Sequence, residues 1–347
     1  MKLTLLFLII SCTFAFANAQ IISFNDQEIN SLKQLLKKND PLATSAITKW
    51  QSLADNAFHD SPNPVDTIFS QGILANQPNR IASRQSLLDI DKTYSLAICY
   101  RINGQKSYLQ KAQDYLLAWA TVNHPQGNAI NETKLDGLLE AYDLLKGFLS
   151  TDAKQTITQW LQTLAQLERN RNPSNNNFNS HRLKIYGQIA FLLGDTAMQQ
   201  QAMNELTTHI SNNLLPDSTS FDLQHRDAFH YHIYTLTPML TLATSIKRAY
   251  HKDLYHYVSP TGSSISYSVA YMLPYINGKK THAEFVHTTV TFDKERANNH
   301  ERGFQSGKLF KPETARVVIA QAQYFDPKLS VNIQLDEWQL LTNQLRQ

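Results

Sequence analysis

The sequence predicts an all-α chain folded as an (α/α) toroid, an incomplete barrel of antiparallel helix hairpins. Three observations lead there. Apolar residues recur at helical spacing through most of the 347-residue chain. The links between the periodic stretches are short, which makes neighbouring helices antiparallel. No repeat of fixed period is present, which favours a closed ring over a regular solenoid.

The elements follow in order. Ile29, Leu32, Leu35 and Leu36 form a first helical face, and Leu42, Ala46, Ile47, Trp50, Leu53 and Ala54 a second. After a connection at 60–80 containing Pro and Gly, Leu87, Leu88, Tyr94, Leu96, Ala97 and Tyr100 form a third, stopped by Asn103-Gly104. Tyr108, Ala112, Tyr115, Leu116, Trp119 and Ala120 continue the pattern to a turn at His124-Pro125-Gln126-Gly127. Leu135, Leu138, Leu139, Tyr142, Leu145 and Leu149 predict a fifth helix, and Ile157, Leu161, Leu164 and Leu167 a sixth. Further helices are expected at 181–193, 196–214, 226–250, 263–275, 312–325 and 334–346. The β-branched stretch 280–292 is open between strand and helix. No linker or shift of composition divides the chain, so residues 20–347 are expected to form one domain.

The N-terminus predicts export. Lys2, the apolar run Leu3–Ile10 and the small-residue sequence Ala17-Asn18-Ala19 have the layout of a secretory leader spanning 1–19, cleaved before Gln20. The run is shorter than the ~20 residues that a membrane-spanning helix needs. Ile9-Ile10-Ser11-Cys12 offers a minor alternative, a lipoprotein anchored at Cys12. A periplasmic or secreted monomer is expected. Cys99 is then the single remaining cysteine, which excludes an internal disulfide, and its apolar surroundings predict a buried thiol. The net charge is +3 without basic runs, which argues against nucleic acid as a partner and leaves room for a local basic cleft.

Two segments hold more polar function than a helical core can use. One is Asn175-Asn176-Asn177-Phe178-Asn179-Ser180-His181-Arg182; the other runs from Asp222 to His232 and contains Arg226, Tyr231 and three histidines. On one helix, His230 and His232 would point about 200° apart and His225 and His230 about 140°, so no metal site is expected. An Asn-rich loop with an N-cap, followed by an aromatic helix face, would explain both segments without function. The residue types also suit β-elimination from a uronic acid. Amide, imidazole and guanidinium groups donate hydrogen bonds to charge developing on the carboxylate. A Tyr hydroxyl can move the proton if a cation such as Arg226 or His181 lowers its pKa from about 10.

The sequence resembles the alginate lyase family of polysaccharide lyases, which have an (α/α) toroid fold. The resemblance extends from about 84 to 297 through Tyr115-Leu116-Leu117-Ala118-Trp119-Ala120, Gly127–Thr133, Glu140–Leu144, Asn176–Arg182, Arg226–Leu236, Thr281–Val286 and Phe292–Arg296. It implies that Asn176 or Asn177 with His181 neutralises the carboxylate, and that Tyr231 acts as base and acid. Two departures stand out. Three residues separate Asn177 from His181, where several members have Asn and His adjacent. Gln224 stands where some members have the assisting Arg, with Arg226 the nearest substitute. Both point to a sub-branch acting on glucuronan or another uronan rather than on mannuronate blocks.

The expected catalytic set is therefore Asn177, His181, Arg226 and Tyr231. Asn176, His230, Tyr234, His282, Glu284 and Arg296 are candidates for binding an anionic polysaccharide, with no cofactor. Tyr115, Trp119 and Tyr142 are open between sugar-stacking platforms and core. A toroid glycoside hydrolase is the alternative enzyme, with Asp222, Asp227 and Glu284 as candidate carboxylates. A non-catalytic polysaccharide-binding protein is the other.

Overall fold

The computed structural model describes residues 20–347; the expected leader 1–19 and Cys12 lie outside the described residues. Helices account for the ordered structure. Among the described residues, β-pairing is limited to two isolated antiparallel bridges, Leu214 with Ser220 and Ala283 with Leu309.

Local chemistry sets many of the helix ends. Asn25 and Glu28 form a reciprocal capping box at the start of α1 (Asp26–Lys37), and Asp40 caps α2 (Pro41–Ala57), whose first residue is proline. Next come α3 (Pro78–Ser86), α4 (Leu88–Asn103), α5 (Lys106–Val122) and the short α6 (Ala129–Glu132), which leads through one 3-10 turn into α7 (Asp136–Leu145). Gly104, at φ 75°, ends α4 where the sequence predicted the stop. Ser150 caps α8 (Thr151–Arg169), Asn176 caps α9 (Asn177–Leu193) and Asp195 caps α10 (Thr196–Asn213). The rest are α11 (Phe221–Arg226), α12 (Phe229–Tyr250), α13 (Ile265–Ile276), α14 (Thr291–Asn298), α15 (Arg316–Phe325) and α16 (Glu337–Arg346).

Contacts run in a circle from α2 to α4, α7, α9, α12, α15, α16 and back to α2, which is the (α/α) toroid. Helix α5 covers α4 and α8, and α8 and α10 cover α9 from outside. Gly187 lets α9 sit close to its neighbours: a Cβ there would meet Leu242 at 2.6 Å and Ala202 at 3.3 Å. Tyr115, Trp119 and Tyr142 are buried in this core, so they pack helices rather than stack sugars. Cys99 is buried and free, and burial pushes its thiol up to about 12, the inert state expected for it.

Three expectations need correction. The helix foreseen at 226–250 is α12 and starts three residues later, at Phe229: α11, which the periodicity did not single out, ends at Arg226, and Asp227 turns the chain between them at φ 50°. Asp and Asn tolerate this left-handed conformation better than most residues, so helical periodicity ran across the break unseen. The stretch 280–292 is neither regular strand nor helix; it is a loop joined to Leu309 through Ala283, and it leads into α14, which the periodicity missed. The connection at 60–80 runs into α3, a short helix whose exposed face gave no apolar stripe. No helix among the described residues is long and apolar enough to cross a membrane.

Candidate active site

The N-terminus of α9 builds one side of the site. Asn176 is extended, and its side-chain oxygen accepts from Phe178 N at 3.1 Å and from the Ser174 hydroxyl at 2.9 Å. Capping thus occupies Asn176, which lies against a separate pocket with Arg171 and Arg182. Asn177 and His181 follow on the same face of α9, one turn apart. The Asn177 amide donates to Asp222 Oδ1 at 2.6 Å. Asp222 is buried and also accepts from Asn213 at 2.9 Å and Thr235 at 2.7 Å, so α10, α11 and α12 all hold it in place. One of the two amide hydrogens of Asn177 remains for another partner.

His181 is 4% exposed. Its Nδ1 is 2.8 Å from Thr133 Oγ1, while its buried Nε2 has no hydrogen-bond partner. Burial first, then the charges of Lys184 and Lys134, hold its pKa well below the usual imidazole range, so the ring is neutral.

The other side is assembled from distant segments. Asp227 carries the chain from α11 into α12 and stitches on the C-terminal loop: its carbonyl accepts from Phe285 N at 2.7 Å, and its carboxylate from His287 N at 2.7 Å. Glu284 then caps α12, accepting from Phe229 N at 2.8 Å and His230 N at 3.1 Å. This fixes Tyr231 beside Arg226 and Asp293. The guanidinium lies over the Tyr231 ring, 3.8 Å from its centroid, and donates to its hydroxyl. Arg226 Nε also donates to Asp293 at 2.6 Å within a two-pronged ion pair, and the Tyr231 hydroxyl donates to Asp293 at 3.3 Å. Thr288 completes the shell of the buried Asp293 at 2.8 Å. Burial pushes the Tyr231 hydroxyl up to about 12; Arg226 pulls the other way and Asp293 opposes it. The expectation that Arg226 lowers this pKa is right in sign and outweighed by desolvation.

These groups share a cleft. A cavity of about 470 Å³ is lined by Asn177, Arg226, His230, Tyr231, Tyr234 and Arg296, among others. Lys134, His230 and Tyr234 also line an adjoining chamber of about 520 Å³ that holds His181. Burial, then Arg296, drops His230 to about 4, so it too is neutral. Arg80, Arg84 and Lys134 add positive charge that sequence reading did not single out. Arg80 and Arg296 share Glu301 at 3.8 and 2.8 Å, whereas Arg84 and Lys134 have no ion-pair partner among the described residues. The cleft is therefore a net cationic slot with neutral donors and a tyrosine inside it.

The structure sets some candidates apart from the cleft. His282 bonds the Asp227 carbonyl at 3.2 Å, and Glu284 is occupied as the α12 cap; neither lines the cavity that holds Tyr231. Asp222, Asp227 and Glu284, the carboxylates a glycosidase would need, all serve as structural acceptors. Gln224 is on the exposed side of α11, bonded back to Asp217 and Thr219, and Arg226 is the arginine at the tyrosine. His225 is exposed against Phe221, and His232 is buried between Ser220 and the Ser268 carbonyl. The three histidines diverge, and no group of three potential metal ligands occurs among the described residues.

Comparison with known proteins gives the family and the fold. Residues 34–282 match the alginate lyase family. An alginate lyase from Bacteroides ovatus has the same fold at a TM-score of 0.69 and 17% identity, covering 95% of this chain and 96% of its own. Alginate lyase A1-III from Sphingomonas species A1 follows at 0.58 and 16%, covering 76% and 80%. A tetrasaccharide complex of alginate lyase A1-III gives 0.57 and 16%, covering 78% and 81%. No curated protein matches the sequence.

Proposed function

This chain belongs to the alginate lyase family, and from that premise we propose that its cationic cleft cleaves a uronic-acid polymer by β-elimination. The substrate is glucuronan or another uronan, or alginate rich in mannuronate, since Arg226 at the tyrosine takes the weight from one of the two departures that spoke against mannuronate. One observation carries the proposal: Asn177, with a free amide hydrogen, lines one cavity with the Arg226–Tyr231 pair, which the buried Asp293 backs, and the unpartnered Nε2 of His181 is in the chamber that adjoins it. The tetrasaccharide bound by alginate lyase A1-III supports a cleft that takes several sugars.

The steps follow from the groups present. Lys134, Arg84 and Arg296 draw the polyanion in. Asn177 and His181 hydrogen-bond the uronate carboxylate, spreading the charge that builds there as the C5–H bond breaks. The minor fraction of Tyr231 that has lost its proton to solvent, its charge facing Arg226, takes the C5 proton. The electron pair forms the C4–C5 double bond, the C4–O4 bond breaks, and the new Tyr231 hydroxyl returns its proton to O4. His230, Tyr234 and Arg296 hold the sugar rings. Asn176, His282 and Glu284 support the walls rather than touch substrate. Residues 20–347 act as one domain and as a monomer, exported through the 1–19 leader.

Incubating the protein with a panel of uronans while following ultraviolet absorbance tests the reading. An unsaturated sugar at each new end is the expected product. New reducing ends without that absorbance would establish hydrolysis instead, and binding without cleavage would leave a carbohydrate-binding protein.

A further inference from the structure

Hydrogen bonds behind His181 decide which of its nitrogens carries the proton. Thr133 Oγ1 sits 2.8 Å from His181 Nδ1 and 2.6 Å from Lys184 Nζ. An ammonium can only donate, so this oxygen accepts from Lys184. A threonine hydroxyl has one hydrogen, and His181 Nδ1 is its one acceptor among the described residues. Lys184 cannot turn away: its side chain is 4% exposed and Asp136 binds it through both oxygens at 2.6 and 2.5 Å. The opposite arrangement, with Nδ1 donating, would put two donors on Thr133 Oγ1 and leave its own hydrogen with no acceptor.

We infer that Asp136, Lys184 and Thr133 form a tautomer lock, which keeps the His181 proton on Nε2 and makes that nitrogen a hydrogen-bond donor into the cleft. A ring held this way has no lone pair to offer there, so it can bind the carboxylate and cannot take the C5 proton. Proton removal then falls to Tyr231. The inference rests on the lyase reading only for what the Nε2–H meets; the tautomer itself belongs to the free protein. Thr133 and Lys184 are positioning residues, because they act through His181.

Nitrogen-15 NMR of the full chain, labelled at histidine and without substrate, reads the tautomer directly. The His181 signals are those missing from the His181→Gln spectrum. Wild-type protein is expected to show a protonated Nε2 and a bare Nδ1. Thr133→Val, which keeps the shape and loses the hydroxyl, should shift the proton to Nδ1 in part or in full and lower kcat ~10²-fold at little change in KM. Thr133→Ser should restore both. If Thr133→Val does not fold by circular dichroism, Thr133→Ala takes its place. A wild-type Nδ1–H ring overturns the inference, and so does a folded Thr133→Val protein that keeps Nε2–H and full turnover. Failure of the wild-type protein to cleave any uronan would remove the lyase reading alone, since the NMR result stands without substrate.

Discussion

The α9 wall of the cleft presents Asn177 and His181 from one helix, one turn apart, both neutral, whereas the other wall gathers Arg226, Tyr231 and Asp293 from α11, α12 and α14. On the first wall the anchors stand behind the functional groups: Asp222 holds Asn177, and Thr133 holds His181. Each keeps a donor for substrate. On the second wall the groups hold one another, with Arg226 touching both the tyrosine and the aspartate. A wall of spare neutral donors suits charge that arrives with the substrate. A saturated ionic cluster suits a proton that must leave and return.

The largest effect expected on the donor wall comes from His181→Ala. Losing one preorganised donor should lower kcat ~10²- to 10³-fold. His181→Gln should recover part of the loss, because an amide can donate but is not a base. Equal loss in both variants would make His181 a proton acceptor and erase the distinction between the walls.

Asp293→Asn probes the ionic wall. Asp293 is fully buried and pairs with the largely buried Arg226, so neutralising it leaves a guanidinium without its counter-charge. A stability loss on the order of 3 kcal/mol is expected by chemical denaturation. A change below ~1 kcal/mol, as for an exposed pair, would show that the cluster is open to water.

Alkali should move activity and stability in opposite directions. Tyr231 ionises near 12, so its reactive form grows with pH, and kcat/KM should rise about tenfold per unit from neutral pH. Behind the α9 wall, Glu168 is pushed up to about 9, by burial first and then by the neighbouring carboxyl of Glu132. Its pKa is higher folded than unfolded, so it contributes most stability in acid and loses that contribution as pH climbs through about 9. The Tm should therefore fall by several degrees between pH 7 and 9.5, and Glu168→Gln should flatten the decline. A pH-independent kcat/KM would remove Tyr231 ionisation from the rate.

The difference between the walls also explains what the sequence disclosed. Asn177 and His181 are legible because both lie in one local polar segment that also carries the family resemblance; that they share a helix face follows from α9 starting at Asn177, ahead of the 181 that periodicity suggested. The ring of helices is legible from helical spacing, since Leu96, Leu139, Ile189 and Leu240 repeat the same buried pattern. Asp293 is 62 residues from Tyr231, and no local period connects them. The Asp227 break hid as well, because its left-handed turn leaves the apolar pattern intact on both sides. Lys134 and Lys184 carry no motif that marks them in the sequence, and the fold brings both to the His181 chamber.

Turnover of a folded Tyr231→Phe protein on the uronan that the wild type cleaves tests the central claim most directly. The substitution keeps the ring under Arg226 and removes only the hydroxyl. The account predicts that kcat falls ~10²-fold or more while KM and the thermal melt change little. Near-normal turnover by a correctly folded Tyr231→Phe protein would contradict it and pass the proton-transfer role to Tyr234, the next hydroxyl in the same cleft.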